Sequence, residues 1–161
     1  MEKGIKTRLI IYEILKKLKY EICNFDELLS NKINNNRLTQ SDKNLIHTVV
    51  LNSMRYSLYT DKIIKKFVKK KTSRQQYILL LGAITQIVFL NFKEYAVVNS
   101  TVELAKYKKI SAYPNFINAV LKKVALEKNS LKNFEISFNE LPKWFYKKTI
   151  KWDELTKQKF L

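Results

Sequence analysis

The side chains that carry most acid–base and covalent chemistry are few in this chain and far apart. His47 is the only histidine. It falls in the middle of a helical pattern, a place that suits a structural or exposed side chain better than a general base. Cys23 is the only cysteine, and nothing local would activate it as a nucleophile. A lone cysteine also builds neither an internal disulfide nor a zinc cluster. There is no GxGxxG and no Walker loop, so nucleotide binding has no motif behind it. The acidic residues are scattered, with no pair placed as general acid and base. No catalytic residue, metal ligand or cofactor is expected.

The chemistry that remains is that of cations. The densest run is Lys62 to Arg74, with seven cations in thirteen positions. Lysines and arginines that neutralise phosphates release counterions, so such a run favours RNA or DNA at low salt. A solvated helix face has the same pattern. The four arginines, Arg8, Arg37, Arg55 and Arg74, stand out in a lysine-rich chain, because a guanidinium grips phosphate or carboxylate with two bonds. An internal ion pair, Arg55 with Asp42 or Asp61, is the competing reading.

Composition agrees with that chemistry and narrows the setting. The 161 residues carry 31 Lys+Arg against 14 Asp+Glu, a formal charge of +17. The usual partners of such a field are nucleic acid or anionic lipid. Abundant Lys, Asn and Ile point to a compositional bias that accounts for part of the lysine count, though not for the scarcity of acids. A hydrophobic content of 46% excludes a disordered basic tail. Two glycines and two prolines are too few for the turns of sandwiches, barrels or Gly-rich nucleotide folds. The longest apolar stretch, Tyr77 to Phe92, is interrupted by Gly82, Thr85, Gln86 and Asn91. It is too short and polar for a bilayer span and reads as a core helix. A cytosolic protein without membrane contact is expected.

Hydrophobic periodicity lays out the elements that must carry these cations. Residues 3–23 read as a helix, followed by a short turn at Phe25–Leu29 and a polar loop at Asn31–Asn36. Ser41-Asp42 signals an N-cap for a helix to Tyr56, with Leu45, Val49, Asn52, Met54 and Tyr56 partly inward. Thr60-Asp61 is a second cap, for a helix to about Lys70. Thr72-Ser73 caps a central helix from Arg74 to Leu90, apolar nearly all round and therefore internal. Helices at 96–108 and 116–126 follow. Residues 129–139 read as a linker, and Pro142 opens a last helix containing Trp144, Phe145, Ile150 and Trp152.

Several blocks along these helices resemble the NusB-like family. Ser41-Asp42-Lys43, Met54-Arg55 and Thr60-Asp61-Lys62-Ile63 follow its spacing. Ile78 to Ile87 looks like its central helix, Ala96 to Lys106 its "avNeaVeLAk" helix, and Asn115 to Lys123 its "gFvNaVLRr" helix. Asn52, Lys93 and Ile11 stand where the family more often has Gly, Pro and a small residue. Two branches share the fold: the free transcription antitermination factor, and the N-terminal domain of a bacterial 16S rRNA cytosine-5 methyltransferase. Gly82 with Gln86, Asn118-Ala119-Val120-Leu121-Lys122 and Leu141-Pro142-Lys143-Trp144-Phe145 look more like the second.

The resemblance implies an all-α bundle of two packed three-helix subdomains that binds RNA. It places the helical domain at residues 1–128 and the start of a connection to an absent methyltransferase domain at 129–161. That absent part would hold S-adenosylmethionine and the nucleophile, so this chain is expected to bind 16S rRNA without catalysis. The expected phosphate contacts are Lys3, Lys6, Arg8, Lys65, Lys66, Lys69, Lys70, Arg74, Lys122 and Lys123. The antitermination branch would instead bind RNA together with ribosomal protein S10.

Overall fold

The computed structural model describes residues 3–34 and 37–160, with the side chains of Lys3, Asn139 and Phe160 outside that description. Among the described residues there are nine α-helices and no strand. They are α1 (Lys3–Tyr20), α2 (Phe25–Asn34), α3 (Gln40–Arg55), α4 (Ser57–Phe67), α5 (Arg74–Ile84), α6 (Glu94–Ala105), α7 (Pro114–Leu131), α8 (Lys143–Thr149) and α9 (Glu154–Phe160). The all-α bundle expected from the sequence is the fold observed.

α5 lies at the centre because its middle has no polar face: Ile78 to Ile84 are all buried. α1 packs on α2, α3, α5 and α6, while α7 closes the other side against α5 and α6. α4 bridges between α5 and α7. α1 comes close to α5 at Gly82, where a Cβ would sit 3.3 Å from Leu15 Cδ1. Only a residue without a side chain allows that seam without displacement.

Capping fixes where the helices begin. Ser73 caps α5 as expected, in a reciprocal box with Gln76 at 2.9 and 3.2 Å. The cap of α3 is Thr39, not Ser41-Asp42. Asp42 is instead the third helical residue of the box and accepts the Thr39 N–H at 3.2 Å. Its other oxygen accepts the Thr7 hydroxyl at 2.9 Å, which ties α3 to α1.

Several expected boundaries shift for physical reasons. α2 runs to Asn34 because Leu28 and Leu29 are buried and Ile33 packs on the core. Thr60 is no cap: it is fully buried inside α4, which starts at Ser57 and stops at Phe67, short of Lys70. The inward face of α3 is Ile46, Val49, Val50 and Ser53, and Met54 is exposed. The central helix does not stay regular to Leu90. From Thr85 to Phe89 it widens into a π turn, with the Leu90 N–H reaching Thr85 O at 3.0 Å. Asn91 follows in the left-handed region at φ 60° and ends the element. α6 starts earlier than expected, and α7 extends to Leu131, which is fully buried. The boundary expected at residue 128 therefore falls within a helix. The last expected helix is two, α8 and α9, interrupted around Trp152.

Gly82→Leu should cost about 1–3 kcal/mol in urea unfolding, because the added side chain must displace Leu15. Gly4→Ala, at an exposed position whose nearest neighbour is Arg8 Nη1 at 3.6 Å, should stay within about 0.5 kcal/mol of wild type. Equal losses at the two glycines would contradict the close α1–α5 seam.

Candidate nucleic-acid interface

The cations of the Lys62–Arg74 run diverge once folded. α4 turns Ile63 and Ile64 into the core, which leaves Lys65 outward. After α4 ends, the extended segment to Ser73 carries Lys69, Lys70 and Lys71, all exposed, and Arg74 opens α5. Lys65, Lys69, Lys70 and Lys71 line one surface concavity of about 370 Å³ with Asp61, Thr72 and Tyr77. Among the described residues none of these lysines, nor Arg74, is ion-paired.

Aromatic and acidic groups stiffen the wall of this concavity. The Tyr77 hydroxyl donates to Asp61 at 2.6 Å, joining α5 to α4. Burial, and then that hydrogen bond, push the Tyr77 pKa well above its ordinary value, so the phenol stays protonated. Lys19 Nζ lies 5.1 Å from the Tyr77 ring, and the Arg74 guanidinium 5.0 Å from the Tyr20 ring. Both distances are within cation–π range. The end of α1 therefore adds Lys19 beside the lysines of the α4–α5 segment.

The remaining expected cations do not join this group. Lys66 pairs with Glu127 of α7 at 2.5 Å and lies over the Phe67 and Phe134 rings. Lys62 is held by the Glu135 carbonyl at 2.8 Å and by the Glu140 carboxylate at 3.0 Å. Lys122 lines a separate groove with Glu94, Tyr95, Val98 and Leu126, and Lys123 is exposed on α7. Lys6 is half-buried on α1. Lys3 opens α1, but its side chain lies outside the described residues. Among the described residues no ion pair joins Arg55 to Asp42 or Asp61.

Arg8 is turned toward the α1–α5 seam. Its Nη1 donates to Gly4 O at 3.2 Å, while its Nε is buried without a partner. Burial lowers its pKa. It lines a cavity of about 20 Å³ with Tyr12, Gln86 and Thr101, and the Tyr12 hydroxyl and Gln86 Oε1 are also buried without partners. Arg8 sits eleven residues before Lys19, roughly 16 Å along the helix axis. Sequence reasoning missed Lys19, Tyr20, Asp61 and Tyr77 as one group. The only local signal was Lys19-Tyr20, a cation beside an aromatic at the end of a helix.

Neither His47 nor Cys23 gains a catalytic setting. Both are exposed, and His47 shares a shallow surface site with Lys43, Asn44 and Thr48. Among the described residues no three His, Cys, Asp or Glu side chains gather as a metal site, and no helix is long and apolar enough to cross a membrane. What the arrangement offers chemically is a patch of fixed positive charge edged by aromatic rings, suited to a polyanion.

Comparison with known proteins agrees with the fold. The model described as the NusB family matches residues 5–126. "Transcription antitermination protein NusB" of Buchnera aphidicola subsp. Cinara cedri (strain Cc) is 34% identical over 104 residues, covering 62% of this chain and 73% of that protein. "Probable ribosomal RNA small subunit methyltransferase B" of Bacillus subtilis (strain 168) is 25% identical over 128 residues, covering 78% of this chain and 29% of that protein. No solved structure matches significantly. The branch preference drawn from Gln86 and the NAVL segment is thus reversed in identity, the antitermination relative being the more alike of the two.

The Lys62–Glu140 contact carries a pH signature. The Ser137 backbone N–H and hydroxyl, and then Lys62, hold Glu140 down from 4.5 to about 2. A carboxylate with a depressed folded pKa keeps its stabilising contact above the unfolded value and loses it as pH falls through the folded one. The tether between α4 and the Ser137–Glu140 turn should therefore survive to about pH 4.5 and weaken toward pH 2. A carboxyl NMR titration should place Glu140 near 2 and move it upward in Ser137→Ala. An unshifted midpoint in that variant would refute the assignment.

Proposed function

Given that the chain belongs to the NusB family, we propose that it is an RNA-binding factor of the stand-alone antitermination type. It works without a cofactor and acts beside a protein partner, for which ribosomal protein S10 is the candidate. The observation that carries the RNA reading is the single concavity lined by Lys65, Lys69, Lys70 and Lys71, with Lys19 and Arg74 at its edge and, among the described residues, no acid ion-paired to any of them. Identity of 34% to an antitermination protein, over 73% of its length, supports the branch. Phosphate contacts of this kind hold the backbone and set register; they do not read bases.

A second reading keeps the chain as the RNA-holding part of a 16S rRNA cytosine-5 methyltransferase. It is favoured by the longer match, 128 residues, to the methyltransferase relative. It is supported too by α8, where Pro142 leads directly into the segment carrying Trp144 and Phe145. That match spans 29% of the relative, so the catalytic step would belong to the rest of such a protein. Co-purification with ribosomal protein S10 separates the readings: a stable complex supports the first and its absence the second.

Reversing charge at Lys65, Lys69 and Lys70 together should lower affinity for single-stranded RNA by roughly tenfold or more at moderate salt. The slope of log K against log salt should flatten by about 2, at about 0.7 per lost phosphate contact. The Lys122→Glu/Lys123→Glu pair should change both much less. Fluorescence anisotropy across a salt series reads both quantities, and equal effects of the two sets would exclude the concavity as the binding face.

A further inference from the structure

A second feature of α4 lies beside its N-terminal end and has no role in the basic concavity. Tyr56, between α3 and α4, stacks on Phe89 of the π turn with centroids 4.2 Å apart and planes within 6°. Tyr59 stands edge-on to both rings, at 6.2 and 6.1 Å. All three rings are half-buried. They line a groove of about 810 Å³ together with Lys132, Asn133, Phe134, Glu135, Ile136 and Gln158, so that one cation and one carboxylate share its wall. Lys132 is exposed, forms no ion pair among the described residues, and touches the Asn91 amide at 3.1 Å.

We propose that this groove receives an unpaired base of single-stranded RNA. The base would rest on the Tyr56–Tyr59–Phe89 floor, and its phosphate would lie against Lys132. The inference rests on the RNA-binding reading and adds to it a place where bases, as well as phosphates, are held. The chemistry fits in three ways. Base–aromatic stacking accepts any base, because every base has a π face. Asn133 and Gln158 present amide donors and acceptors that match base edges. The volume falls in the range of small-ligand sites, roughly 300–1,000 Å³. The widened helical turn that places Phe89 also has a reason under this reading, since π turns recur at functional sites.

The test uses single-stranded RNA octamers, each with 2-aminopurine at a different position, and reads two signals on the full chain. Anisotropy of an end label reports binding, and 2-aminopurine emission reports stacking. Wild type should raise anisotropy and quench the probe at one or two positions. Tyr59→Leu should lose the quenching and bind about tenfold more weakly with an unchanged salt slope. Tyr59→Phe should retain the quenching, and circular dichroism should show both variants folded. Anisotropy without quenching at any position would overturn the groove while leaving RNA binding intact; a groove filled by the chain's own last residues would give that result. Unchanged affinity and quenching in Tyr59→Leu would overturn it as well. A flat anisotropy signal would overturn the RNA reading itself, and the groove assignment with it.

Discussion

The contact of α1 with α5 at Gly82 is the constraint on which the rest of the structure depends. Leu15 fills the space that a side chain at position 82 would take. Lys19 is one turn further along α1, and Tyr77 lies toward the start of α5, so the two helices run antiparallel where they meet. That geometry carries Lys19 over the Tyr77 ring and Tyr20 under the Arg74 guanidinium. A seam held farther apart would leave the end of α1 away from the α4–α5 segment. The basic concavity would then lose a wall. Packing in the core and charge on the surface are joined through one glycine.

The charge distribution has a clear division of labour. Lys62, Lys66 and Lys128 are tied to Glu140, Glu127 and Glu94, carboxylates of other elements. Such half-exposed pairs are each worth little on their own. Among the described residues Lys65, Lys69, Lys70 and Lys71 have no such partner, and their mutual repulsion is a standing cost that water and salt screen within about 8–10 Å. A polyanion removes that cost on binding. Among the described residues Asp61 is the one carboxylate lining the concavity, and it is engaged by the Tyr77 hydroxyl. Its local effect is to fix a ring where a cation already lies.

Much of the fold was legible because helix periodicity and the family blocks point to the same elements. The cap at Ser73 was readable from residue type alone, whereas α7 opens at Pro114, before the expected start at residue 116. The boundaries that moved were decided by tertiary burial. Thr60 has the residue type of a cap but lies in the core, and its helix starts where Tyr56 separates α3 from α4. The π turn has no signature in the sequence. Its polar side chains, the Thr85 hydroxyl and Gln86 Nε2, donate to the Leu81 and Gly82 carbonyls at 2.8 and 2.9 Å, and only the structure shows these internal bonds. The site was half legible. Charge density marked the Lys62–Arg74 run, but it did not show that Lys62 and Lys66 are spent on ion pairs. Nor did it show that Arg8 faces a seam, or that Lys19 crosses from α1. Those are consequences of packing between segments distant in sequence.

The most direct test of the central claim is amide NMR mapping of the free protein titrated with a short single-stranded RNA. The account predicts that the largest shifts cluster on Lys19–Tyr20 and on residues 65–77, with α6 and the middle of α7 nearly unmoved. Shifts concentrated instead around Tyr95, Lys122 and Lys123 would contradict it, because the binding face would then lie on α6 and α7.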